Sequence, residues 1–157
     1  MNYTWKNLFY SAFLSFALLA PAPAAWAADP KPAADAQASL YKRLGGYDAL
    51  AAVTDDFLGR MAADPQLSKF LVGHNTDSLA RIRQHIVDFL CHATGGPCTY
   101  HGRDMKTAHA GLHITDAEWQ ASVKDLTATL EKFKVPEKEK GEVLAAIGSL
   151  KDDIVGQ

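Results

Sequence analysis

The chain has 157 residues, about one domain's worth, since domains typically hold ~100 to 150. With 48% hydrophobic and 22% charged residues it has ordinary globular usage, which excludes disorder or a fibrous repeat as a description of the whole. Sixteen basic and eighteen acidic residues, mixed along the chain to a net charge of −2, offer no basic field for a phosphate backbone and exclude nucleic acid as an expected partner.

In chain order, Met1 to Ala28 carries no acid and a single base, Lys6, ahead of the apolar run LFYSAFLSFALLA and the small-residue stretch ending at Ala25-Trp26-Ala27. That pattern predicts a secretory signal peptide over residues 1–27. Pro21 and Pro23 interrupt the run too early for a membrane-spanning helix, which needs ~20 apolar residues. The mature protein is expected in the periplasm or another exported compartment, not embedded in the membrane. Residues 28–38 are rich in Pro, Ala and polar groups and read as a flexible leader; residues 39–157 are the folded domain.

Within that domain apolar residues recur at helical spacing and nowhere in strict alternation, so the fold class is all-α. Ser39 is placed to cap a short helix LYKRL that stops at Gly45-Gly46. A helix over 48–63 should bury Leu50, Val53, Phe57, Leu58 and Met61, and Asp64-Pro65 should end it and open a single turn to Leu71. After a loop at 73–76, Asp77 is expected to cap a helix over 78–94, which Gly95-Gly96-Pro97 breaks. A short helix follows over 104–111. Thr115 and Glu118 have the spacing of a capping box for a helix reaching 134, and Pro136 opens a last helix carrying Val143, Leu144, Ile147, Leu150 and Ile154 on one stripe.

All six histidines fall between His74 and His113, and both cysteines, Cys91 and Cys98, lie in the same span. Histidine is the commonest metal ligand, so chemistry is expected in the middle of the chain. His85 sits in an apolar stripe with Ile82, Ile86, Phe89 and Leu90, and His109 shares one side of its short helix with Met105 and Leu112. Each alone reads as a partly buried histidine bonded to a neighbour. Together, on helices either side of a Gly-Gly-Pro turn, they could face one another across a flat apolar ligand whose iron takes an imidazole from each side. His109 and His113 also have zinc-ligand spacing, but Ala110 stands where a zinc protease needs glutamate. The chain has no C-x-x-C-H, so covalent haem attachment is not expected and any haem must be held non-covalently. Cys91 and Cys98 straddle a sharp turn and, in an oxidising compartment, are expected to form a disulfide; two free thiols or soft-metal ligation are the alternatives.

The segments LYKRLGG (40–46), VTDDF (53–57), ADPQLSKFL (63–71), ATGGP (93–97) and YHGRDMKTAHAGLHIT (100–115), with the tail VPEKEKGEVLAAIGSLKDDIV, resemble the group 1 truncated haemoglobins from Leu40 to Val155. The resemblance implies a truncated globin, a two-over-two helical sandwich, with haem b held non-covalently. By it, His109 matches the proximal iron ligand and His85 a position from which some members bind iron on the distal side. Phe57, Phe70, Phe89, Met105 and Val143 match apolar haem contacts, and Tyr100 the tyrosine beside the pocket. Where many members carry a tyrosine and two glutamines to hold bound oxygen, this chain has Leu58, Ile82 and Ile86.

Three functions are compatible with these residues. The first is a haem protein binding O2, NO and CO, with NO oxidation or nitrite reduction at the iron and a periplasmic electron donor. The second is an electron-transfer or gas- and redox-sensing module with both axial positions filled by histidine. The third is an exported metal-binding protein without haem.

Overall fold

The computed structural model describes residues 38–157, all within one unit of the chain. The expected signal peptide and all but the last residue of the leader lie outside the described residues. Among the described residues every regular element is helical, and no helix is long and apolar enough to cross a membrane. The elements are α1 (Leu40–Arg43), α2 (Gly46–Ala63), a 3₁₀ turn (Ser68–Phe70), α3 (Thr76–Ala93), α4 (Met105–His109), α5 (Asp116–Lys132), α6 (Glu137–Gly148) and α7 (Lys151–Ile154).

The sequence's punctuation acts much as expected. Gly45 and Gly46 take φ of 97° and 80°, which lets α1 and α2 meet at a tight corner with no Cβ penalty. Thr115 and Glu118 form the reciprocal capping box. Helix ends shift by one or two residues, and two differences have a clear physical cause. Asn75, not Asp77, caps α3: its side-chain oxygen accepts the Ser78 N–H at 2.9 Å, and Asp77 falls in the first turn, where a negative charge suits the helix dipole. The last helix is two helices, because the chain tightens at Ser149 and Leu150. Ser149 Oγ donates to the Ala146 carbonyl at 2.7 Å, and the Leu150 N–H bonds back three residues to Ile147 instead of four. α7 thereby turns away and packs on α4.

Helices α2 and α3 pack together, α5 packs on α2, and α6 folds back on α5. The result is the two-over-two sandwich. Val53, Leu126, Leu130 and Val143 form the buried centre, with Phe57, Leu44, Leu144 and Ile147 packed against it. Fully burying side chains of this size stabilises by ~1.5 to 3 kcal/mol each. Asp56 pins the two layers: Arg60, Lys132 and the Thr129 hydroxyl all reach its carboxylate. Hydrogen bonds from Lys132 and Arg60 hold its pKa down at about 2. Helix α2 has two working faces. Leu50, Val53, Thr54 and Phe57 serve the core, whereas Leu58 and Met61 turn toward α3 and a cavity.

The expected disulfide is present. Cys91 and Cys98 are joined with their Cα atoms 5.7 Å apart, and Cys91 is fully buried. Gly96 lies so close that a Cβ there would meet Tyr41 Cδ2 at 2.6 Å and Cys91 Sγ at 2.7 Å, so the turn admits glycine alone.

Candidate functional site

A cavity of about 630 Å³ opens between α3 and α4, in the size range of small-molecule sites. Its α3 wall consists of Ile82, Ile86 and Phe89, spaced to share one face, with His85 beside them. Leu58 and Met61 of α2 and Phe70 of the 3₁₀ turn close one side, and Met105, His109 and Leu112 form the opposite wall. Tyr100 stands at the end, edge-on to Phe89 with ring centroids 5.4 Å apart. His85 and His109, on different helices and 24 positions apart, thus line one apolar space.

Two expected contacts lie elsewhere. Phe57 and Val143 pack in the central core and are not part of the cavity wall. Sequence reasoning in turn missed His74, Ser78, Arg81 and Arg103, which all line the cavity. Ser78 and Arg81 lie on α3 seven and four positions before His85, so the helical period that placed His85 would have found them. A second apolar cavity, about 430 Å³, adjoins the first and shares Leu58, Leu71 and Ile82 with it.

Helix α4 is built to present its histidine. Asp104 caps it, accepting from Thr107 N–H at 2.9 Å and from the Thr107 hydroxyl at 2.8 Å, and these bonds hold the Asp104 carboxyl below its ordinary range. The Tyr100 hydroxyl donates to the Arg103 carbonyl at 2.7 Å, and a Cβ at Gly102 would overlap the Tyr100 ring. Burial, helped by the nearby charge of Asp104, raises the Tyr100 pKa, so this phenol stays a donor. His109 Nδ1 lies 2.7 Å from the Met105 carbonyl oxygen. A carbonyl can only accept, so the proton sits on Nδ1 and the Nε2 lone pair is left as a metal donor. This is the arrangement by which iron- and zinc-binding histidines are oriented and made more basic.

The donor set fits a haem. It combines one oriented imidazole, a second imidazole from another helix, and apolar walls between them. Two guanidinium groups, Arg81 and Arg103, also line the cavity and suit the cofactor's two carboxylates. A structural zinc site fits less well, since among the described residues no three of His, Cys, Asp and Glu converge.

Comparison with known proteins agrees with this geometry. A family described as bacterial-like globin matches residues 39–155. A group 1 truncated haemoglobin of Chlamydomonas moewusii is 35% identical over 134 residues, covering 84% of this chain and 77% of the relative. One from Mycolicibacterium paratuberculosis is 38% identical over 117 residues, 74% of this chain and 84% of that one. Among solved structures, truncated haemoglobin from Tetrahymena pyriformis in its Fe(III) form superposes with a TM-score of 0.70 at 28% identity, covering 76% of this chain and all of the other. The 2/2 haemoglobin of Synechococcus, in the cyanomet state and with covalently attached haem, gives 0.69 at 31% identity, again covering 76% of this chain and all of the other. With its two-over-two fold and a cavity suited to haem b, the chain belongs to the group 1 truncated haemoglobins, within the bacterial-like globins.

Proposed function

We propose that this chain binds the diatomic gases O2, NO and CO on the α3 side of a non-covalently held haem b, with His109 the proximal ligand and His85 a distal imidazole. The observation that carries this reading is the shared apolar cavity, with His109 on one wall and His85 on the other. Bound haem supplies an iron centre that coordinates a gas and exchanges an electron. The chain's residues set the conditions for it. His109 would hold the cofactor through Nε2, Ile82, Ile86, Phe89 and Leu58 would exclude water from the distal side, and Arg81 and Arg103 would pair with the carboxylates.

Leu58, Ile82 and Ile86 offer no hydrogen-bond donor on that side, and each charge-assisted bond to a gas that they forgo would be worth ~1.5 to 3 kcal/mol. That favours exchange and redox chemistry, NO oxidation or nitrite reduction, over tight oxygen storage. The exported location belongs to the same proposal: a disulfide suits an oxidising compartment, and turnover there would draw on a periplasmic electron donor. A second reading, electron transfer or sensing with both histidines on iron, is favoured by His85 lining the same cavity.

The deciding experiment is reconstitution with haem followed by ferric, ferrous and CO spectra. A Soret band at one haem per chain, with all of the haem extracted by acid acetone, supports the proposal. Failure to take up haem sinks it, and haem that resists extraction sinks the non-covalent attachment. Stopped-flow CO binding and single-turnover NO and nitrite assays then separate the two readings.

A further inference from the structure

We propose that residues Ile154–Gln157 form a strap that positions His109 for the iron; the inference rests on the axial role of His109. Helix α4 has five residues, and His109 is the last of them. A helix that short has no stability of its own, since isolated helices need ~12 to 15 residues to persist in water. The direction of the ligand must therefore be fixed from outside. Asp104 and the Tyr100–Arg103 bond do this at the start of the helix.

At its end the chain leaves through the extended Ala110 and a left-handed turn ending at His113, whose φ is 49°. There the backbone is caught from the far end of the sequence. His113 N–H donates to the Gln157 carbonyl at 2.7 Å, and Gly156 N–H donates to the Ile114 carbonyl at 2.9 Å. Gly156 reaches this position with φ of 77°. The strap is itself secured: Ile154 is buried, α7 packs on α4, and Lys151 Nζ lies 2.6 Å from Asp116 Oδ1 at the start of α5. Fraying of α4 from this end would first loosen His109 and its bond to the Met105 carbonyl. That bond raises the basicity of Nε2, so the strap sets the strength of the iron–imidazole bond as well as its direction.

The test uses the haem-loaded full chain in a His85→Leu background, so that ferrous iron carries one protein ligand. Gly156→Pro removes the N–H and cannot adopt the left-handed φ, whereas Gly156→Asn keeps the donor and tolerates that conformation. Gly156→Pro should lower the iron–histidine stretching frequency in the resonance Raman spectrum. It should also speed amide exchange at Ala108 by about tenfold, the factor carried by one net hydrogen bond, while α5 and α6 amides are unchanged. Gly156→Asn should restore the parent values of both. An unmoved stretching band in Gly156→Pro, or exchange accelerated equally throughout α5 and α6, overturns the strap. A parent that takes up no haem overturns instead the reading of His109.

Discussion

Lys69 Nζ lies 2.5 Å from Glu118 Oε1, tying the 3₁₀ turn to the start of α5. The same carboxylate accepts the Thr115 N–H at 2.8 Å, and the neighbour of Lys69 is Phe70, which lines the cavity. Lys69 and the Thr115 donors hold the Glu118 pKa near 2, below its ordinary 4.5. A depressed acid stabilises the fold above its unfolded pKa, and that contribution disappears as pH falls from about 4.5 toward 2. Glu118→Gln should be less stable than the parent in urea melts at pH 7, with the difference shrinking through pH 4 and nearly gone at pH 2. A difference that stays constant with pH would show that the charge is not the cause.

The axial assignment makes a sharper prediction. His109→Ala removes the one oriented imidazole on the α4 wall and leaves a flat cofactor to burial, the two arginines and a His85 that no hydrogen bond anchors. It should lose haem on gel filtration, whereas His101→Ala and His113→Ala, exposed and outside the cavity, should keep it. Stoichiometric haem with an unchanged spectrum in His109→Ala would refute the assignment.

Much of this was legible in the sequence because its signals are local. The Gly45-Gly46 corner, the Thr115–Glu118 box and the α3 face bearing Ile82, His85 and Phe89 each follow from spacings of one to four residues. What escaped depends on tertiary packing. Val143 and Phe57 have the polarity of pocket residues, yet only the seating of α2 against α5 and α6 sends them to the core. Likewise, the break at Ser149–Leu150 replaces one long apolar stripe by two helices, a choice decided by α7 docking on α4. His74 and Arg103 sit in loops, where no period could place them in the cavity wall.

The disulfide closes a small loop around the end of α3. In the chain-entropy model a loop of this size is worth about 2 to 3 kcal/mol, through restriction of the unfolded chain. A Cys91→Ala, Cys98→Ala double variant should therefore melt roughly 10 °C lower while retaining its helical circular dichroism. Non-reduced protein isolated from an oxidising compartment should be lighter by two hydrogens than the reduced form. Two alkylatable thiols in freshly isolated protein would contradict the pairing.

The last prediction concerns the distal side, where the exposed His85 makes no hydrogen bond among the described residues. Its ring lies edge-on to Tyr100, with centroids 6.4 Å apart and planes at 83°, and no described polar group engages either ring nitrogen. Of its neighbours, Ile82, Ile86 and Leu58 carry no ligand atom, and the cavity's other imidazole outside α4, His74, sits in the loop before α3. Neutral imidazole is a good sixth ligand, so a population with His85 on the iron is expected in the absence of gas. Gas must then wait for His85 to leave, and its apparent affinity falls by the fraction of molecules that are open. His85→Leu should turn a low-spin six-coordinate ferrous spectrum into a five-coordinate one and speed CO binding. It should also quicken autoxidation, because it removes one of the cavity's hydrogen-bond donors for bound oxygen. Tyr100→Phe keeps the edge-on ring but loses the bond to the Arg103 carbonyl, so it should leave the coordination number unchanged and loosen the proximal side instead. A wild-type ferrous protein that is already five-coordinate would exclude the direct bond and leave His85 as a donor to the bound gas.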